Sequence, residues 1–209
     1  MLIVLGLSLQ PVMAAADPSL IWPDTRQNRA EAQSRLDRLQ QALRDEPSAT
    51  LVLERWCAAY HIATVAKIVA HRVLGAPKDA PESVRHNLML QAGEALGYRR
   101  VQLFCGDVIL SDADNWYVPD RLTPAMNGLL EHTETPFGLA VRSLHFQRQT
   151  ISSDRLWNPD TSPATGPLAI PDHVLRNVGL LTLPGGRPIS QVIENYTGAV
   201  LGTAPDSAP

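Results

Sequence analysis

Three short stretches carry side chains that can grip or work on a small acid. Arg100 opens an alternating run, Arg100-Val101-Gln102-Leu103-Phe104-Cys105, on the face opposite Val101 and Leu103. A guanidinium is a planar fork of donors that matches a carboxylate, although an arginine on a sheet can equally be a solvated charge. In Thr135-Pro136-Phe137-Gly138 a hydroxyl and a proline stand where a helix begins. The first amides of that helix, at Phe137 and Gly138, lack helical acceptors and suit a carboxylate. A plain capped helix reads the same way. Glu194 sits in the apolar strand Val192-Ile193-Glu194-Asn195-Tyr196, where alternation sends it either to a ligand or to solvent.

The familiar catalytic patterns are absent from the sequence: G-x-S-x-G, H-E-x-x-H, a Gly-rich phosphate loop and C-x-x-C do not occur. The six histidines are scattered, and His132-Thr133-Glu134 alone does not make a metal site. No metal site is expected. Asn195-Tyr196-Thr197 matches a glycosylation sequon, a pattern short enough to arise by chance.

The elements that must position these residues follow from capping and periodicity. Asp24-Thr25 caps a helix to about Arg44, with Leu36, Leu39 and Leu43 on one face. Pro47-Ser48 ends it and caps a second helix from Ala49 to Ala59. Residues 62–73 suit a strand better than a helix, and 82–96 reads as a helix or flap stopped by Gly97. A hairpin follows, Arg100–Cys105 and Val108–Ser111, turning at Gly106-Asp107. Thr123-Pro124 and Thr135-Pro136 each start a short helix by the same device. Strand character returns at Leu144–Ile151, and a last hairpin pairs Val178–Leu183 with Ile189–Tyr196 across Pro184-Gly185-Gly186. The sum is an α+β fold, a single antiparallel sheet with helices packed on one face.

Composition narrows the classes. The 209 residues fit one domain, and a net charge of −3 argues against a nucleic-acid partner. Only Lys67 and Lys78 among the eighteen basic residues are lysine, so arginine does the cationic work. Residues 1–16 carry no charge, are apolar from Leu2 to Leu7 and end in Ala14-Ala15-Ala16, the shape of a cleavable export signal. They are too short, and broken by Pro11, for a stable membrane span. The expected organisation is a signal peptide at 1–16, one domain at 17–202 and a disordered tail at 203–209, with the mature chain periplasmic or secreted. If the leader is not functional, the chain is cytoplasmic. Cys57 and Cys105 either pair in an oxidising compartment or remain buried thiols.

Taken in order, several runs resemble the chorismate lyase (chorismate–pyruvate lyase) family. They are Tyr98-Arg99-Arg100-Val101-Gln102-Leu103-Phe104-Cys105-Gly106-Asp107, Val118-Pro119 and Thr135-Pro136-Phe137-Gly138. Phe146-Gln147-Arg148, Leu156-Trp157, Gly186-Arg187-Pro188 and Glu194-Asn195-Tyr196 continue the series. The similarity covers about half the chain and lies in the series rather than in any one motif. It implies a chorismate lyase/UTRA-like sheet with loops over a buried ligand. It also implies conversion of chorismate to 4-hydroxybenzoate and pyruvate, a step of ubiquinone biosynthesis, with no cofactor. On that resemblance Arg100 holds the ring carboxylate and the Phe137 amide, next to Gly138, assists. Arg148 supports them, and Glu194 bonds the ring hydroxyl or acts as general acid, which burial would favour. One residue more than the family pattern separates Pro188 from Glu194, which requires a bulge to turn Glu194 inward. An export leader disagrees with a cytosolic substrate. The alternative is therefore a non-catalytic extracytoplasmic protein, expected to be monomeric, binding a small aromatic or cyclohexadienyl carboxylate in the same pocket.

Overall fold

The computed structural model describes residues 21–75, 77–162 and 166–205. The proposed leader at 1–16 therefore lies outside the described residues. Thr25 accepts a hydrogen bond from the Asn28 amide and starts helix α1, Arg26–Asp45. Ser48 accepts from the Leu51 amide and starts α2, Ala49–Ala59. Both caps stand where the sequence puts them, because a side-chain oxygen there satisfies an otherwise orphaned helix amide. Strand β1 (Ile68–Arg72), the six-residue helix α3 (Glu82–Asn87), β2 (Gly97–Cys105) and β3 (Val108–Tyr117) follow. Helices α4 (Pro124–His132) and α5 (Phe137–Ala140) precede β4 (Gln147–Arg155), β5 (His173–Thr182) and β6 (Pro188–Thr197). At α4 Thr123 caps as expected. At α5 the cap position is Pro136, and Thr135 bonds Thr133 instead of the helix.

The six strands form one antiparallel sheet in the order β1-β2-β3-β6-β5-β4. This is the α+β architecture expected from the sequence. Helix α1 buries Ala32, Leu36, Leu39 and Leu43, all 1% exposed or less, in one core cluster with Leu103, Leu175 and Tyr196 of the inner sheet face and with Val52, Leu53 and Trp56 of α2. Each such leucine contributes about 1.5–3 kcal/mol by leaving water. The expected packing of helices on one face alone is corrected by α3, which covers one end of the opposite face, where Val84 and Leu88 cluster with Trp116, Leu180 and Ile193. Cys57 of α2 and Cys105 at the end of β2 form a disulfide with Cα atoms 6.4 Å apart. Thr203 and Ala204, expected in a disordered tail, are held instead. Arg35 donates to the Thr203 carbonyl at 2.8 Å, and Ala204 is 2% exposed in the core.

Candidate functional site

Register places the inner-face side chains in rows across the sheet. One row holds Val101, Ala113, Glu194 and Asn177; the next holds Arg99, Asn115, Val192 and Gly179. Helices α2 and α5 roof these rows without closing on them. Between roof and sheet lies a cavity of about 60 Å3. Its floor is Val101, Leu103, Ala113, Asn115, Val192 and Glu194, with Arg148 and Leu181 at one side. Its roof is Pro47–Thr50 at the start of α2 and Pro136–Gly138 at the start of α5, with Phe146 beside them. The space suits one small ring or a few waters, not a peptide or nucleotide.

Arg100 does not reach this space. It lies exposed on the outer face of β2, because successive side chains of a strand leave on opposite sides and Val101 and Leu103 are committed inward. The sequence-based role for Arg100 is therefore corrected. The arginine on the cavity side is its neighbour Arg99, 4% exposed, across from Asn115 in the register. Its guanidinium does not itself line the cavity; both terminal nitrogens lie 3.4 Å from the carbonyl of Thr135, next to the lining residue Pro136, and Nε has no partner. No carboxylate pairs with it among the described residues. Burial, with Arg72 nearby, pulls its pKa down to about 10.

Phe137 and Gly138 are where the sequence puts them, at the first turn of α5 on the cavity roof. Neither N–H makes a backbone hydrogen bond, and the same holds for Ala49 and Thr50 at the first turn of α2. Four residues with unpaired first-turn amides thus line one cavity from two helix starts. The α2 contribution was missed from sequence. Its signal was the Pro47-Ser48 cap, which reads as a helix start and says nothing of what the start faces.

Glu194 points inward, 5% exposed. The expected bulge is present at Ile189, where the β5–β6 pairing steps from Leu181–Ser190 to Thr182–Pro188. Two side chains donate to it, Arg148 Nη2 at 2.5 Å and the Tyr196 hydroxyl at 2.9 Å, both on Oε2. That pattern uses the carboxylate as an acceptor. For Arg148, burial opposes the cation but the Glu194 charge outweighs it, and the pKa is raised. Burial first and the Glu194 charge second push the Tyr196 hydroxyl well above its ordinary range. Beside Glu194, Asn177 is fully buried with neither amide atom partnered, and Ser111 Oγ is likewise unpaired. Polar residues on an inner sheet face are costly unless something satisfies them.

The described residues contain no group of three or more His, Cys, Asp or Glu able to hold a metal. None of their helices is long and apolar enough to cross a membrane.

Comparison with known proteins finds an uncharacterised protein of Sinorhizobium fredii, y4mC, 44% identical over 191 residues, 86% of this chain and 81% of its own. No family model matches. Among solved structures, the effector domain of PhnF from Mycobacterium smegmatis aligns with TM-score 0.47 at 15% identity, over 73% of this chain and 89% of that one. The ligand-binding domain of a putative GntR-family transcriptional regulator from Bordetella bronchiseptica aligns with TM-score 0.41 at 18% identity, over 62% and 82%. The possible transcriptional regulator YydK of Bacillus subtilis aligns with TM-score 0.41 at 12% identity. The alignment covers 62% of this chain but only 58% of YydK, little more than half of that regulator.

Proposed function

The chain belongs to the family of the uncharacterised Sinorhizobium fredii protein y4mC, and we propose that it binds a small hydroxylated ring carboxylate between the sheet and the starts of α2 and α5. The observation that carries this reading is Arg99, a buried guanidinium beside the cavity with no carboxylate partner. An unpaired buried charge costs several kcal/mol, and a ligand carboxylate in the cavity offsets that cost. The amides of Ala49, Thr50, Phe137 and Gly138 supply its hydrogen bonds. The ring lies on Val101, Ala113 and Val192, and Phe146 flanks it. Arg99 on β2 and Glu194 on β6 stand two strand spacings and two residues of register apart, roughly 12 Å between backbones, which one ring spans once both side chains reach inward. Glu194 accepts from the hydroxyl at the far end.

A second reading is lysis of chorismate, favoured by a buried carboxylate, Glu194, on the cavity floor. The ring would lose its C4 hydrogen as a proton while the C3–O ether bond breaks, and the departing enolpyruvate would take up a proton at its methylene carbon, leaving 4-hydroxybenzoate and pyruvate. The protein would contribute orientation and a dry, polarised enclosure. The Cys57–Cys105 disulfide supports an oxidising compartment outside the cytosol, which favours binding over lysis.

One pair of measurements tests both readings. Calorimetric titration with 4-hydroxybenzoate should show saturable binding that Arg99→Leu removes. Chorismate incubated with concentrated protein should give either stoichiometric pyruvate and an aromatic product, which selects lysis, or neither, which selects binding. Absence of any saturable binding of 4-hydroxybenzoate or chorismate overturns the proposal.

A further inference from the structure

Arg148 travels an unusual distance to its partner. It starts on β4 opposite Leu181, passes over β5 at Gly179 and ends on Glu194 of β6. Gly179 makes the passage possible. A Cβ there would stand 2.8 Å from Arg148 Nε and 3.0 Å from Cζ and Nη2, closer than a side-chain carbon can approach. The guanidinium therefore lies flat on a glycine, 4% exposed, and is aimed along the sheet. Its Nη2 and the Tyr196 hydroxyl both donate to Glu194 Oε2. Glu194 Oε1 has no partner among the described residues, yet it is not among the fully enclosed unpaired atoms, and Glu194 lines the cavity. One oxygen is thus saturated by the protein and the other is left open.

We propose that Arg148 is a positioning residue which, by crossing Gly179, fixes Glu194 so that Oε1 is a single directed acceptor and the site selects a ring acid with a hydroxyl at its far end. This rests on the reading of the cavity as a carboxylate site. A far-end hydroxyl donates to Oε1. A hydrogen in its place leaves a buried acceptor unmet, and a second carboxylate there meets the Glu194 charge. Arg148 touches Glu194 rather than the ligand hydroxyl, so its effect is on discrimination. Without it Glu194 loses the one cation that pairs with it among the described residues, and Tyr196 alone holds Oε2.

The test compares three ring acids, 4-hydroxybenzoate, benzoate and terephthalate, by calorimetric titration. The wild type is expected to prefer 4-hydroxybenzoate over benzoate by about tenfold or more, the discrimination of a charge-assisted hydrogen bond, and to reject terephthalate. Gly179→Ala displaces the guanidinium without deleting a charge, and should collapse the ratio toward one. Arg148→Met should do the same, and Arg148→Lys should restore part of the ratio. The thermal midpoint of each variant identifies any that fail to fold. A wild type that binds benzoate as tightly as 4-hydroxybenzoate overturns the inference. So do folded Gly179→Ala and Arg148→Met variants that keep the wild-type ratio, and in both cases the carboxylate site still stands. A wild type that binds none of the three acids overturns the inference together with the carboxylate reading.

Discussion

Arg99 and Arg100 are neighbours in sequence and leave β2 in opposite directions, one beneath the helices beside the cavity and the other into solvent. Their roles follow from that alternation rather than from their chemistry, which is identical. Arg99 is buried without an anion, so removing it should help the empty protein and harm the loaded one. Arg99→Leu is expected to raise unliganded stability by about 1–3 kcal/mol, the cost of an unsatisfied buried polar group, and to abolish ring-acid binding. Arg100→Ala should change neither. Denaturant midpoints with and without ligand check both variants. A destabilised, still-binding Arg99→Leu protein contradicts the assignment.

Gly138 offers a way to fill the cavity without disturbing the sheet. A Cβ there meets Ser48 Oγ at 3.5 Å and Phe146 at 3.7 Å, ordinary contact distances. The two further methyls of Gly138→Val would enter the space between them. Binding should fall by at least tenfold, while the thermal midpoint moves by no more than a few degrees. Circular dichroism and titration on the same sample separate these effects.

The Cys57–Cys105 bridge closes a loop across 48 positions and ties α2 to β2. By chain entropy such a crosslink stabilises the fold by about 4 kcal/mol. The double variant Cys57→Ala with Cys105→Ala should lose stability on that order, read from urea denaturation. Reductant should shift the wild type toward the variant and leave the variant unchanged.

Arg121 gathers the segment after α3. It donates to the carbonyls of Leu88 at 2.7 Å and Pro188 at 2.6 Å, and to Glu94. The Arg121 hydrogen bond, then the Gln91 amide, hold Glu94 down to about 2 from 4.5. A depressed carboxyl contributes stability that is complete above the unfolded value of 4.5 and lost as pH falls toward 2. Acid titration should therefore release this segment over that window, reported by fluorescence of Trp116, against which Leu96 packs. Glu94→Gln should remove that acid step.

Much of the fold was readable because its signals are local. Thr25, Ser48 and Thr123 cap helices through their own amides, and the Leu36–Leu39–Leu43 stripe names the face α1 buries. Both hairpins stand where turn residues separate alternating strands. The outcome at Thr135 shows the limit. The same Thr-Pro pair starts a helix at Thr123 and Thr135, but only Thr123 caps, because Thr135 is drawn to Thr133.

The site divides in the same way. The sequence by itself determined which residue types were available: an arginine pair before an alternating run, a Pro-Phe-Gly helix start, a glutamate in an apolar strand and Arg148 near the start of β4. Tertiary structure decided which arginine turned inward, since parity is set by the neighbouring strand and the core that Val101 and Leu103 join. It brought the Ser48 helix start, far away in sequence, over the same cavity. It also joined Arg148 to Glu194, a contact between positions 46 apart that exists because Gly179 leaves the gap between them open. Side-chain chemistry is local, whereas direction and proximity are properties of the assembled sheet.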